Sequence, residues 1–220
     1  MPQLPQEPSG RRAPEPLVNA PWPVVVLTVG IVLLYLVQTR FPLDAVSGLF
    51  GFSPAGLLQG HPEQLLTSLF VHGNWSHALM NAAFILAFGA PVARFFGPRP
   101  GGVIDFFLFY IFCGVLACLG FAALHWGQNA SLIGASGAAS GLMGAAARLI
   151  GGQGRVGPVF SRAVTGMGLG WLIINIIMAF AGGLLVPGAG SASVGWEAHL
   201  AGFVAGVLLI GPFGWVTGRG

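Results

Sequence analysis

The chain has 220 residues, of which 55% are hydrophobic and 7% charged, with a mean hydropathy of +0.80. A soluble domain carries about 25% charged residues, so this chain cannot cover a water-facing surface, and a soluble fold is excluded. The net charge of +3 and pI near 9.5 come from nine arginines spread along a chain without lysine, which argues against a nucleic-acid-binding patch.

Residues 1–20 contain Pro2, Pro5, Pro8, Pro14 and Pro16 and few apolar side chains, and read as a disordered cytoplasmic tail. Arg11-Arg12 is followed by Ala-Pro-Glu-Pro rather than an apolar run, so the pair reads as a topology charge and not an export signal. The remainder, 21–220, reads as one membrane domain. Six apolar stretches follow at roughly 22–38, 76–96, 103–124, 132–150, 163–182 and 195–215. Each approaches the about 20 residues that a hydrocarbon core of about 30 Å requires. With no water to satisfy backbone groups, six helices are the economical reading. The first is a retained anchor, since Gln38-Thr39-Arg40 is not a small-residue cleavage site. Cys113 and Cys118 lie in an apolar run away from any histidine and read as small buried hydrophobes.

With the N-terminus inside, the inner loops and tails hold Arg11, Arg12, Arg94, Arg99, Arg148, Arg155, Arg162 and Arg219, and the outer side holds Arg40 alone. That bias places both termini in the cytoplasm and the starts of helices 2, 4 and 6 at the outer face.

Polar groups in membrane helices are costly and mark function. Four stand out: His77 and Asn81 in helix 2, Ser136 in helix 4 and His199 in helix 6. All sit toward the outer end, with Ser136 and His199 each about five residues inside its helix, or roughly 8 Å deep. Small residues at fourth positions let helix backbones approach. Gly137, Gly141 and Ala145 form one such stripe, and Gly202 and Gly206 the other. A serine hydroxyl needs a neighbouring base to become a nucleophile, and a neutral imidazole can serve, later protonating the leaving amine. Glu197, two residues from His199, points elsewhere, and Asp105 lies near the opposite end of helix 3, so the sequence reads as a Ser–His dyad without a third carboxylate. His77 and Asn81, at i and i+4, share a face and can donate to an oxyanion, helped by backbone N–H groups around Ser136. No metal site and no cofactor requirement is read from the chain.

These residues resemble the rhomboid family of intramembrane serine proteases over about residues 65–210. The resemblance rests on His72-Gly73-Asn74-Trp75-Ser76-His77-Ala78-Leu79-Met80-Asn81, on Gly134-Ala135-Ser136-Gly137, and on Ala198-His199 followed by Gly202 and Gly206, in that order. It implies a six-helix rhomboid-like bundle, with Ser136 as nucleophile and His199 as general base. His77, Asn81 and Gly134 would form the oxyanion and substrate-binding group. It further implies a partly embedded structural loop at 39–75, and a gate and cap formed by helix 5 and the loop at about 183–195. Substrates would be transmembrane proteins cut near the outer surface after a small residue, where a helix unwinds. Three positions depart from the family pattern. Ser140 stands where many members carry an aromatic ring packed on the histidine. Pro62-Glu63-Gln64 lies where a Trp-Arg pair is often found. Ala93 is close to a position often held by glutamate.

The competing class is a non-catalytic rhomboid-like protein that binds membrane clients; such members usually lack the serine or the histidine. A transporter would show mid-membrane charges or symmetric broken helices, and an α/β-hydrolase would need Gly at 138, which is Ala138. The composition suggests a bacterial plasma membrane; substrate identity and oligomeric state are not readable. The orientation makes a direct prediction: a topology reporter fused after residue 220 reads as cytoplasmic, and an external signal would reverse the assignment.

Overall fold

The computed structural model describes residues 20–185 and 195–218, the side chains of 181–185 excepted. Most of the proline-rich tail, most of the expected cap loop and Arg219 lie outside the described residues. Within them the fold is helical, and the one strand-like feature is an isolated antiparallel pairing of Phe52 with Leu132. In chain order the helices are α1 (Trp22–Gln38), α2 (Leu43–Phe50), α3 (Pro54–Leu58), α4 (Gln64–Thr67), a 3-10 turn (Ser68–Phe70), α5 (Trp75–Phe96), α6 (Pro100–Leu124), α7 (Ser136–Gly151), α8 (Arg162–Leu185) and α9 (Trp196–Val216). Four of these, α5, α6, α8 and α9, are long and apolar enough to cross a membrane, while α1 is a shorter apolar helix of 17 residues.

Helix α7 is 16 residues long and buries most of its side chains against α5, α6, α8 and α9. Its sequence explains how a short helix can occupy the centre. Nearly every side chain in Gly137–Ala147 is small, so neighbouring helices close directly on its backbone. A Cβ on Gly202 would collide with the carbonyl of Gly137, and one on Gly206 with the carbonyl of Gly141. The glycines of α7 face a second neighbour: a Cβ on Gly137 would meet Ala117 at 2.5 Å, and one on Gly141 would strike Cys113, both on α6. The two expected stripes therefore do meet, through the α9 glycines closing on α7 carbonyls. Cys113 and Cys118 are buried in this packing, as free thiols.

The expected helix from 132 is corrected by the structure: α7 begins at Ser136. The physical reason is backbone pairing upstream. Phe52 and Leu132 exchange N–H···O bonds of 3.0 and 2.7 Å, and the Gly134 N–H donates to the Ser68 carbonyl at 2.9 Å. Gly134 has φ +113°, a conformation that ends any helical continuation toward the N-terminus. Ser136 is thus the first residue of its helix rather than about five residues inside, whereas His199 is the fourth residue of α9.

The segment between α1 and α5 is held without a Trp-Arg pair. The Gln38 side chain bridges across it, donating from Nε2 to the His72 carbonyl at 2.6 Å and accepting from the His72 N–H at Oε1 at 3.0 Å. The Thr67 hydroxyl donates to the Phe50 carbonyl at 2.8 Å. Asn74 caps α5, its side-chain oxygen accepting from the His77 N–H at 2.8 Å. On the same end of the bundle, α6 and α9 are tied by His125 and Glu197, whose Nε2 and Oε1 lie 3.0 Å apart. Hydrogen bonding to Glu197 raises the His125 pKa above its ordinary value.

Three expectations follow. Gly206→Ala destabilises the fold by about 1–3 kcal/mol through overpacking. Gly30→Ala, where an added methyl meets nothing within 4 Å, stays within about 1 kcal/mol of the parent on the stabilising side; denaturation by dodecyl sulfate in mixed micelles measures both. A histidine whose folded pKa is raised contributes stability that is present below its unfolded pKa and lost as pH rises through the folded one. The thermal midpoint of the parent in detergent therefore falls as pH rises above about 6.5, and Glu197→Gln removes that component of the slope.

Candidate active site

Helices α5, α7 and α9 bring their N-terminal turns to one end of the bundle, and their polar residues meet there. Ser136 Oγ and His199 Nε2 are 2.8 Å apart. The contact depends on the glycine packing just described, because Ser136 immediately precedes Gly137 and His199 lies about one turn before Gly202 on the facing helix. His199 does not end with that contact. Its Nδ1 lies 2.7 Å from Oδ1 of Asn175, on α8. Asn175 is 2% exposed and donates from Nδ2 to the Trp171 carbonyl one turn earlier, at 2.8 Å.

These bonds fix the protons. Asn175 commits its N–H group to Trp171, so its carbonyl oxygen faces the imidazole, and His199 must donate to it from Nδ1. The neutral ring then has an unprotonated Nε2, which accepts from the Ser136 hydroxyl. That is the tautomer a general base requires.

Ser140 turns away from the histidine. Its hydroxyl donates to the Ser136 carbonyl at 2.7 Å, a bond within α7. The ring beside His199 comes from α8 instead: Trp171 lies with its centroid 5.6 Å from the imidazole at an interplanar angle of 34°, and 5.2 Å from that of Phe84. Both α8 contributions, Asn175 and Trp171, escaped the sequence reading. Asn175 sits in Ile173-Ile174-Asn175-Ile176-Ile177, and a lone amide in such a run was the available signal; which face of α8 turns toward α9 is not encoded locally.

His77 and Asn81 converge on Gly134. The Gly73 N–H donates to His77 Nδ1 at 3.4 Å, which leaves the proton on Nε2. A methyl built on Gly134 would lie 2.5 Å from His77 Nε2 and 3.5 Å from Asn81 Nδ2. His77 therefore closes on the backbone two residues before Ser136, where only glycine fits, and Asn81 Nδ2 lies beside it. Asn81 is 4% exposed, and its Nδ2 has no hydrogen-bond acceptor among the described residues. A buried, unsatisfied amide donor costs about 1–3 kcal/mol and calls for an explanation. Ser136, as the first residue of α7, adds the unpaired backbone N–H groups of a helix start. Glu197, as the sequence suggested, is turned away from His199 and engaged with His125.

The arrangement can accept a proton from Ser136 and present donors to an oxygen that gains negative charge nearby. Comparison with known protein families finds a match to the Rhomboid domain over residues 59–215. The chain is also similar to Rhomboid-like protein 11, chloroplastic, of Arabidopsis thaliana, with 28% identity over 207 residues that cover 90% of this chain and 67% of the plant protein.

Proposed function

The chain belongs to the rhomboid family, and from that premise we propose that it is an intramembrane serine endopeptidase acting through Ser136 and His199. The observation that carries the reading is the 2.8 Å contact between Ser136 Oγ and His199 Nε2 at the N-terminal end of α7. In this mechanism the Ser136 hydroxyl attacks the scissile carbonyl carbon as His199 Nε2 takes its proton. Charge builds on the carbonyl oxygen, which accepts from Asn81 Nδ2, from the His77 Nε2–H and from the first backbone N–H groups of α7. His199 then passes its proton to the leaving amine, and an ester links Ser136 to the acyl fragment. Water, deprotonated by the same imidazole, completes hydrolysis. Gly134 keeps the two side-chain donors close to the nucleophile.

Several apolar helices and the rhomboid domain fit an integral multi-pass membrane protein. We read the bundle as six membrane-crossing helices, counting the shorter α1 and α7 with the four long ones, and both termini as cytoplasmic on the strength of the arginine bias. The site then opens near the outer surface. Substrates are transmembrane proteins whose segments unwind locally, since a fully hydrogen-bonded helix offers no extended peptide bond. The lysine-free, alanine- and glycine-rich composition supports a bacterial plasma membrane as the location.

The test is cleavage of a model transmembrane substrate by the purified protein in liposomes. Ser136→Ala and His199→Ala each lower the rate by about 10⁴-fold or more, to background. Asn81→Ala lowers kcat by about 10²-fold, the typical cost of one oxyanion donor. Wild-type turnover in Ser136→Ala would remove the assignment, and a wild-type protein that binds transmembrane segments without cutting them would favour client binding instead.

A further inference from the structure

We propose that Asn175 is the positioning residue of the catalytic histidine, so that the base is correctly held only while α8 lies against α9. The proposal rests on the reading of Ser136 and His199 as nucleophile and base.

The geometry carries it in three steps. Asn175 Oδ1 is 2.7 Å from His199 Nδ1, and the amide can present only its oxygen because Nδ2 is committed to the Trp171 carbonyl. That single acceptor decides which ring nitrogen holds the proton, and with it whether Nε2 can receive the proton of Ser136. Rotation of the ring about its side-chain bonds is limited by the same helix, because Trp171 lies beside it. Among the described residues the contacts on the Nδ1 side of the ring come from α8: within α7 the hydroxyl of Ser140 is turned back on the Ser136 carbonyl, and Glu197 of α9 is engaged with His125.

Helix α8 is also the least enclosed of the long helices. Of its most apolar stretch 11% is buried, against 44% in each of α5, α6 and α9. Leu169, Ile173, Ile174, Ile176 and Ile177 all point outward. Its seam with α9 includes Gly168, where an added Cβ would press on the Phe203 ring at 3.1 Å. A bond that sets the tautomer of the base is thus made across a narrow seam. Separating α8 from α9 disarms the base without disturbing the α7–α9 glycine contact that brings Ser136 and His199 together.

The experiment combines nitrogen-15 NMR of histidine-labelled full-length protein with steady-state cleavage. In the wild-type protein His199 is protonated on Nδ1 and bare on Nε2; this needs no variant and no turnover. In Asn175→Leu, which keeps the volume and removes the acceptor, the Nε2–H tautomer gains population. In that variant kcat falls by at least about tenfold while KM stays within about twofold. Asn175→Asp, which restores an oxygen facing Nδ1, recovers the Nδ1–H tautomer and part of kcat. Gly168→Leu, which wedges α8 off Phe203 two turns from Asn175, shifts the tautomer and kcat in the direction of Asn175→Leu. A wild-type His199 protonated on Nε2, or an Asn175→Leu protein with unchanged tautomer and kcat, would overturn the positioning role. An unchanged tautomer in a folded Gly168→Leu protein would overturn its dependence on the seam. Failure of the protease reading is distinct: it leaves wild-type protein unable to cleave or to react with a fluorophosphonate at Ser136, whatever the tautomer.

Discussion

The close approach of α7 and α9 underlies everything else in this molecule. Apolar side chains gain little by leaving lipid for a protein interior, so helices in a bilayer must be held by shape and by polar bonds. Here shape is supplied by the absence of side chains. Gly202 closes on the carbonyl of Gly137 and Gly206 on that of Gly141, while the other flank of α7 receives Ala117 and Cys113 of α6. The helix becomes a rod of nearly bare backbone clasped on several sides. A hydroxyl and an imidazole can then meet at 2.8 Å without long side chains reaching for each other. Ser136 sits one residue before Gly137 and His199 about one turn before Gly202, so the contacts that stabilise the bundle also set the distance between hydroxyl and imidazole.

The second constraint is the start of α7. Its N-terminal residue carries the hydroxyl, so whatever fixes the chain just before Ser136 also aims it. Phe52, Ser68 and Gly134 do so through backbone bonds, and the segment supplying two of those partners is itself tied by Gln38 to His72. His77 closes on Gly134, with Asn81 beside it. The loop between α1 and α5 thereby acts as a wall for the site. Its polar bonds tie the start of α7 and the His77–Asn81 face to the first helix, and in the proposed mechanism it is the buried Asn81 Nδ2 that donates to an incoming oxygen.

Much of this was legible in the residues. Apolar runs bracket α1, α5, α6, α8 and α9 closely, because hydrophobic length is a composition property and survives any packing. Ser136, His199, His77 and Asn81 stood out because polar groups in such runs are expensive. The start of α7 was missed, since Leu132 and Ile133 look helical by composition, and their extended backbone depends on a partner 80 residues earlier in the chain. Asn175 was missed for a related reason. A lone amide flanked by isoleucines is as expensive as the others, but its meaning is tertiary: only the rotation of α8 about its axis decides whether it meets lipid or the histidine. Ser140 misdirected the reading, because it directed the search for a ring to α7, while the indole that lies beside the imidazole arrives from α8.

The chemical identity of the group behind the histidine follows from the solvent. In water-exposed proteases a carboxylate commonly holds the imidazole and stabilises the imidazolium that forms. Among membrane helices a carboxylate would have to be desolvated without a permanent counter-ion, at a cost of several kcal/mol. An amide offers the same directional acceptor at Oδ1 with no net charge, and its N–H group is satisfied by a carbonyl of its own helix. The ring therefore gains orientation and a fixed tautomer, while giving up the charge that would most favour its protonated form. Such a site stores less electrostatic assistance and depends more on geometry. In the proposed protease that dependence suits a bundle whose distances are set by glycine backbones, with the packing of α8 on α9, rather than a buried ion pair, as the quantity on which the base relies.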